Sequence, residues 1–326
     1  MGHSIDYTLK HIHNADANAL AFIEEWYNDL PYIIAYTSGS TGKPKEIRLQ
    51  KNDMIESAKA TCKHFNITNK STLVLPLSAN YIAGKMMIVR AIISNATLWI
   101  ENPSNQPISK KYNNIDLMAI VPSQVDWLIN NNCAYKIRNL LIGGGQLSKN
   151  RAKALMELEY NSYVSYGMTE TCSHIALRHI SSPVYKTLPN ITISKDSRNC
   201  LIINAPKFSF KQIITNDIIE LIDDTNFKWI GRFDNIINTG GIKVSPEYIE
   251  QQIAPFISAP FYVIGEYDEK WSEIIVLYIE TNKTIDCDTL NKQMKETLHK
   301  YHIPKKIKCV SSFQRTESGK IKRINV

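Results

Sequence analysis

The spacing of apolar residues changes character twice along the chain. Leu20, Ile23, Trp26, Tyr27 and Leu30 stand three or four apart, so the first 30 residues read as a helix. The run Tyr32-Ile33-Ile34-Ala35-Tyr36-Thr37 predicts a buried strand, followed by a Gly/Ser/Thr loop and an amphipathic helix through Met54, Ile55 and Ala58. Strand runs at 71–75, 97–100, 117–120 and 140–142 then alternate with helical patterns at 82–93, 122–130 and 148–158. Such alternation predicts an α/β fold, a parallel sheet with helices on its faces. After about residue 190 short strands at 191–193, 201–204, 212–215 and 218–222 predict a small antiparallel sheet. From residue 231 the texture changes again: strands at 261–264 and 273–280 and a helix at 288–301 predict a compact α+β unit. A boundary at Asp234 divides the chain into domains 1–233 and 234–326.

Composition narrows the class without naming a function. The chain has 326 residues, 44% hydrophobic and 21% charged, which suits two ordinary globular domains and excludes a disordered or collagen-like chain. Six cysteines at 62, 133, 172, 200, 287 and 309 form no Cys-x-x-Cys pair and no disulfide framework. His3, Asp6 and Lys10 interrupt any apolar leader, and no run approaches the ~20 residues of a membrane span. A cytoplasmic protein with no membrane span is expected. The formal charge is +7, from 38 basic and 31 acidic residues, with the basic residues spread out and densest near the C-terminus. That balance suits a substrate bearing phosphates and carboxylates, and no nucleic-acid partner is expected.

Five segments carry the candidate chemistry. Tyr36-Thr37-Ser38-Gly39-Ser40-Thr41-Gly42-Lys43-Pro44-Lys45 leaves a strand and is expected to enter a helix. Its glycines admit a close anion, and its amides and hydroxyls supply donors. Pro44 after Lys43 separates it from the Walker loop. The others are Tyr166-Gly167-Met168-Thr169-Glu170-Thr171, then Thr215-Asn216-Asp217, then Gly231-Arg232-Phe233-Asp234 leading into Asn238-Thr239-Gly240-Gly241-Ile242-Lys243, and finally Arg315-Thr316-Glu317-Ser318-Gly319-Lys320. Taken singly, Asp217 is an ordinary turn carboxylate, and Arg232 and Lys320 are solvated charges. Cys172 and His174 are expected to be packed and structural.

In order and approximate spacing these five segments resemble the acyl-adenylate-forming superfamily, from about Pro31 to the C-terminus. Within it the chain is most similar to the o-succinylbenzoate–CoA ligase family of menaquinone biosynthesis. That likeness rests on Ala119-Ile120-Val121-Pro122-Ser123-Gln124, on Leu141-Ile142-Gly143-Gly144-Gly145-Gln146, on Tyr166-Gly167-Met168-Thr169-Glu170-Thr171-Cys172-Ser173, and on Leu75-Pro76-Leu77 with the following Gly84 and Arg90. The resemblance implies a large ATP- and acid-binding domain, shortened at its start, and a small mobile C-terminal domain. It implies ATP, Mg²⁺ and CoA, the last as a substrate. Thr37, Ser38, Gly39, Ser40, Thr41, Gly42 and Lys45 would hold the β- and γ-phosphates. Glu170, with Thr169 beside it, would bind Mg²⁺. Gly144, Gly145 and Tyr166 would frame the adenine, Asp217 and Arg232 the ribose and phosphate side, and Lys320 the α-phosphate during attack. Gly240 and Gly241 would leave a tunnel for pantetheine, and rotation about Asp234 would exchange the two half-reactions. Arg90 would meet a second carboxylate on the acid, with its placement on the outer face of the helix equally weighted.

The sequence also departs from the family. Only 35 residues precede Tyr36, so one wall of the acyl pocket is expected to be missing, rebuilt or supplied by a neighbouring subunit, which leaves a homo-oligomer open. Tyr81 stands where the ligases place a histidine, and Asn216 where glycine is usual. Two other readings use the same motifs: an adenylating ligase for another acid, with CoA or a carrier protein as acceptor, and an inactive nucleotide-binding scaffold. Lys320, Glu170 and a complete phosphate loop argue against the scaffold.

Overall fold

Four apolar runs of the N-terminal half, Thr72–Leu75, Thr97–Ile100, Leu117–Ile120 and Asn139–Ile142, lie side by side and parallel in a twelve-stranded sheet. The computed structural model describes residues 5–36, 45–109, 112–131, 136–315 and 321–325. Side chains on a strand alternate between faces, and here that alternation divides the core in two. Leu73, Leu75, Leu117 and Ala119 pack into one layer with Phe22, Met54 and Met87. Val74, Met118, Ile120, Leu140 and Ile142 enter the other with Val125, Leu128 and Leu155. Helices therefore cover both faces, Lys51–Phe65 and Ile82–Ser94 on the first, Val125–Asn130 and Lys149–Met156 on the second.

Asn161–Gly167 adds a further parallel strand. Its neighbour His174–His179 runs antiparallel, and from there Tyr185–Thr187, Asn226–Arg232, Lys211–Leu221, Cys200–Ala205 and Thr192–Lys195 follow in antiparallel order. The antiparallel strands expected after residue 190 are thus hydrogen-bonded edge to edge onto the parallel set. The runs at 212–215 and 218–222 form one strand, Lys211–Leu221, with a register shift between Ile218 and Ile219.

Two local expectations are corrected. The first 30 residues are not one helix. A short helix Ile5–Leu9 leads to strand Ile12–His13, which pairs in parallel with Leu98 and Trp99, and the helix Ala17–Tyr27 follows. Asp16 caps that helix by accepting from the Ala19 amide at 2.8 Å. Its buried face is Ala19, Phe22, Ile23 and Trp26, while Leu20 and Leu30 point to solvent. Second, the segment after residue 44 enters a strand before it reaches a helix. Glu46–Gln50 pairs antiparallel with Tyr32–Tyr36, and its alternation of Ile47 and Leu49 with charged and polar residues is a period-two signal. The Glu25 carboxylate fixes this hairpin, accepting from the Ile34 amide at 2.7 Å and from Lys85 Nζ at 3.1 Å.

The C-terminal part builds a five-stranded sheet from Ile237–Thr239, Ile242–Val244, Phe261–Asp268, Ser272–Glu280 and Lys306–Val310. The helices Pro246–Ile253 and Cys287–Thr297 pack on one face through Ile249, Ile253, Leu290 and Met294. Asp234 lies in the short turn Phe233–Asn235, between the two sheets in sequence. Among the described residues no helix is long and apolar enough to cross a membrane.

Candidate active site

The C-terminal ends of the parallel strands converge where an open α/β sheet ordinarily receives a ligand. Gly143, Gly144 and Gly145 follow Asn139–Ile142, with Gly145 over Pro122. Ser165 Oγ on the next strand donates to the Ile142 carbonyl at 3.1 Å. One residue further along that strand, the Tyr166 ring packs edge-on against Tyr185 and Phe227.

Tyr166 marks the first of two polar centres. Its hydroxyl donates to Asp217 Oδ2 at 2.7 Å, and Trp229 Nε1 donates to Asp217 Oδ1 at 3.0 Å. The Asp217 side chain is buried. Burial first, and the Asp217 carboxylate second, push the Tyr166 phenol well above its usual range, which keeps it a donor. Arg232 stands directly opposite Asp217 in the strand register. Its guanidinium turns to Asp234 at 2.6 Å, and Asn216 Nδ2 donates to the other Asp234 oxygen at 2.9 Å. Tyr166, Asp217 and Arg232, far apart in sequence, are therefore brought together. A carboxylate has about four lone-pair positions, so Asp217 retains capacity to accept from a ligand hydroxyl.

The turn after Tyr166 is held by close packing. A Cβ on Gly167 would lie 2.3 Å from the Ser173 carbonyl oxygen, so only glycine fits. Thr169 and Glu170 follow in the short turn Thr169–Thr171, and the Glu170 side chain is exposed. Thr171 Oγ1 accepts from the Met168 amide at 3.0 Å and closes that turn. Among the described residues no group of three or more His, Cys, Asp or Glu side chains could enclose a metal. One exposed carboxylate nonetheless fits Mg²⁺, which is commonly held by one or two carboxylates with nucleotide phosphates completing the oxygen set. Cys172 is buried, and burial followed by the Asp53 carboxylate pushes its thiol up to about 12, so it is a packed thiol as expected.

The second polar centre surrounds Arg90, which is only 2% exposed on the helix Ile82–Ser94. Its placement on an outer, solvated face is thereby corrected: this helix is buried nearly all round, from Gly84 to Ile92. Arg90 Nη2 donates to Ser173 Oγ at 2.7 Å. Ser173 Oγ lies 3.3 Å from His174 Nδ1, and His174 Nε2 lies 3.2 Å from Thr61 Oγ1, which donates to the Ser57 carbonyl at 3.0 Å. One direction of donation satisfies this chain: Arg90 to Ser173, Ser173 to His174 Nδ1, His174 Nε2–H to Thr61. That requires a neutral imidazole. Burial, then the charges of Arg90 and His64, hold His174 well below its usual value. Burial also lowers Arg90, to about 10, so it stays charged at neutral pH. Its Nε is buried with no hydrogen-bond partner, and no carboxylate among the described residues forms an ion pair with it.

The remaining expected residues are dispersed. Tyr81 precedes the Arg90 helix as its N-cap residue and is 36% exposed. Lys45 is exposed at the entrance of strand Glu46–Gln50. Gly240 and Gly241 form a two-residue hairpin turn with φ of +58° and +81°, conformations natural to glycine, and a Cβ on Gly240 would meet the Trp271 ring at 2.6 Å. Thr37, Ser38, Gly39, Ser40, Thr41, Gly42 and Lys320 lie outside the described residues. Sequence reasoning missed Trp229, whose route to Asp217 depends on strand pairing across the bulge at Ile218. It also missed Thr61, whose place opposite His174 is set by helix docking.

Known proteins resemble this chain over most of its length. The model of the AMP-binding enzyme family matches residues 8–202, and that of the AMP-binding enzyme C-terminal domain matches residues 259–320. The 2-succinylbenzoate–CoA ligase of Listeria monocytogenes is 27% identical over 92% of this chain and 70% of its own length. That of Bacillus subtilis is 24% identical over 90% and 68%. Among solved structures, an acyl-CoA synthetase (AMP-forming)/AMP-acid ligase II-like protein from Dyadobacter fermentans is 31% identical, with a TM-score of 0.62 over 94% of this chain and 92% of that one. The o-succinylbenzoate coenzyme A synthetase of Bacillus subtilis, in complex with ATP and magnesium, shares the fold with a TM-score of 0.79 at 24% identity, over 89% of this chain and 68% of that one. With a family model covering more than half of its length, the chain belongs to the AMP-binding enzyme family.

Proposed function

We propose that this enzyme is an ATP-dependent acid–thiol ligase that adenylates o-succinylbenzoate and transfers the acyl group to CoA, releasing AMP and pyrophosphate. The names of its relatives support the reaction class, and the state of Arg90 carries the choice of acid. A buried guanidinium with an orphan Nε and no carboxylate partner among the described residues is costly unless something completes it. A second carboxylate on the substrate, meeting it directly or through water, supplies the missing acceptor.

In this reading the acid's reacting carboxylate attacks the α-phosphorus of ATP, and the bond to pyrophosphate breaks. The loop of residues 37–45 cradles the β- and γ-phosphates. Asp217 accepts from the ribose hydroxyls with the lone pairs that Tyr166 and Trp229 leave, and Arg232 serves the phosphate side. Gly144, Gly145 and Tyr166 frame the adenine. Glu170, beside Thr169, would hold Mg²⁺, which neutralises phosphate charge when bound. Lys320 stabilises the charge that develops on the α-phosphate, an electrostatic contribution for which the expected loss on removal is about 10²–10³-fold. In the second step a CoA thiolate attacks the acyl carbon and AMP leaves. Before that step, rotation about Asp234 presents the Gly240–Gly241 hairpin as the floor of the pantetheine path, with Tyr81 lining the acid pocket. Indifference to nucleic acid, on the dispersed basic charge, and cytoplasmic residence, on cysteines that form no disulfide framework, complete the reading.

Mass spectrometry of a reaction with ATP, Mg²⁺, CoA and o-succinylbenzoate tests it. An o-succinylbenzoyl-CoA product that is lost with Lys320→Ala is expected. AMP and pyrophosphate formed only with some other acid would overturn the substrate, and no turnover with any acid would overturn the enzyme reading.

A further inference from the structure

Arg90 is held at both ends by two consecutive residues of the helix Lys51–Phe65. At its main chain, Cys62 Sγ donates to the Arg90 carbonyl at 3.8 Å, and Ser94 Oγ donates to the same carbonyl at 2.7 Å. At its side chain, Thr61 is the far end of the hydrogen-bonded chain that reaches the guanidinium. The Thr61 hydroxyl proton is committed to the Ser57 carbonyl at 3.0 Å, so Thr61 Oγ1 faces His174 Nε2, 3.2 Å away, as an acceptor. That puts the imidazole proton on Nε2 and leaves Nδ1 bare. Ser173 Oγ, 3.3 Å from Nδ1, gives its proton there and turns its lone pairs to Arg90 Nη2 at 2.7 Å. A main-chain carbonyl thus sets the direction of every bond out to the cation. Thr61, Ser173, His174 and Arg90 are all buried, so water does not compete for these groups.

Two properties of the chain bear on what Arg90 can do. Its other members are uncharged, so the guanidinium is oriented without being neutralised. A carboxylate in the place of Ser173 would orient it equally well and would take up its charge. The anchored atom also matters. A guanidinium is planar, and Nη2 lies on the same edge as the Nε proton, the edge that meets a carboxylate side-on. Holding Nη2 therefore fixes where the orphan Nε points.

We propose that His174 and Thr61 are positioning residues that orient Arg90, through Ser173, for the second carboxylate of the acid. The proposal rests on the role given to Arg90 above and deepens it. Selectivity for a diacid then depends on two side chains that never touch the acid. A histidine that served only as packing would affect every acid alike.

The test measures ATP–pyrophosphate exchange with o-succinylbenzoate and with a monoacid that lacks its ring carboxylate, and reads the ratio of the two kcat/KM values. His174→Leu should lower that ratio at least about tenfold, since misplacement by even ~1 Å can cost up to ~10²-fold. The loss should fall mainly on KM for the diacid, because the second carboxylate is remote from the reacting one. His174→Asn, whose amide oxygen takes the place of Nδ1, should keep more of the ratio than His174→Leu. Thr61→Val keeps the volume but removes the acceptor, and should lower the ratio by less than His174→Leu; Thr61→Ser should restore it. Should His174→Leu fold poorly, the Thr61 pair is read in the same assay. Equal losses for both acids, or an unchanged ratio, would overturn the proposal. Wild type with no preference for the diacid, or Arg90→Met with the wild-type preference, would instead overturn the reading on which it rests.

Discussion

The two buried polar centres beside the Tyr166 strand are built on opposite terms. Around Asp217 each carboxylate oxygen already has a donor, from Tyr166 or from Trp229. Around Arg90 the cation has one hydroxyl partner and an Nε with none. The first centre is complete as architecture and can offer a ligand only spare lone pairs. The second is incomplete, and what it lacks is an acceptor. Burial and charge alone would have made the two residues look alike; the inventory of hydrogen-bond partners separates a framework from a receptor.

That contrast breaks most sharply on stability. Asp217→Ala strands a buried hydroxyl and an indole N–H, and each unsatisfied donor costs about 1–3 kcal/mol, so denaturant unfolding should show a large loss. Arg90→Met removes a buried cation that has no counter-ion among the described residues, and its stability should stay within about 1 kcal/mol of wild type or exceed it. Equal destabilisation by both would erase the distinction.

A smaller effect concerns pH. His174 binds its proton less readily folded than unfolded, so between its lowered value and the ordinary 6.5 the unfolded chain holds more protons. The stability it confers is fully present above pH 6.5 and is lost as the pH falls below that. His174→Gln should flatten the acid limb of a stability–pH profile; an unchanged limb would mean that His174 is not held neutral beside Arg90. Smallest is a difference in labelling. Cys172, with its thiol raised to about 12, should resist iodoacetamide at pH 8 in the folded protein while exposed Cys287 and Cys309 react, read by peptide mass spectrometry.

Much of the fold was legible wherever a residue's neighbours in sequence are also its neighbours in space. The parallel strands at 97–100 and 117–120 emerge with the boundaries their apolar runs suggest, and 117–120, buried at every position, shows why: a strand covered on both faces needs an uninterrupted apolar run. The first 30 residues misled because Leu20 and Leu30 complete a helical stripe on paper, while burial selects Ala19, Phe22 and Trp26 and a two-residue strand pairs far away with Leu98 and Trp99. At the site, the grouping of Tyr166, Asp217 and Arg232 follows from the joint resemblance of their segments to the superfamily, since Asp217 alone reads as a turn carboxylate and Arg232 alone as a solvated charge. Trp229, Ser173 and Thr61 become visible only through strand register and helix docking, which no local pattern encodes. The state of Arg90 belongs to the same class, since an orphan donor is defined by everything that fails to reach it.

The most direct test of the account compares two acids in two proteins. ATP–pyrophosphate exchange is measured with o-succinylbenzoate and with 4-oxo-4-phenylbutanoate, which lacks the ring carboxylate, using wild-type protein and Arg90→Met. Wild type should prefer the diacid by about 100-fold or more in kcat/KM, since a site built around a buried polar group discriminates strongly against a substrate that leaves it unpaired. In Arg90→Met that ratio should collapse toward one. An undiminished preference in Arg90→Met would show that the second carboxylate is read elsewhere, and the assignment of Arg90 as its receptor would fall.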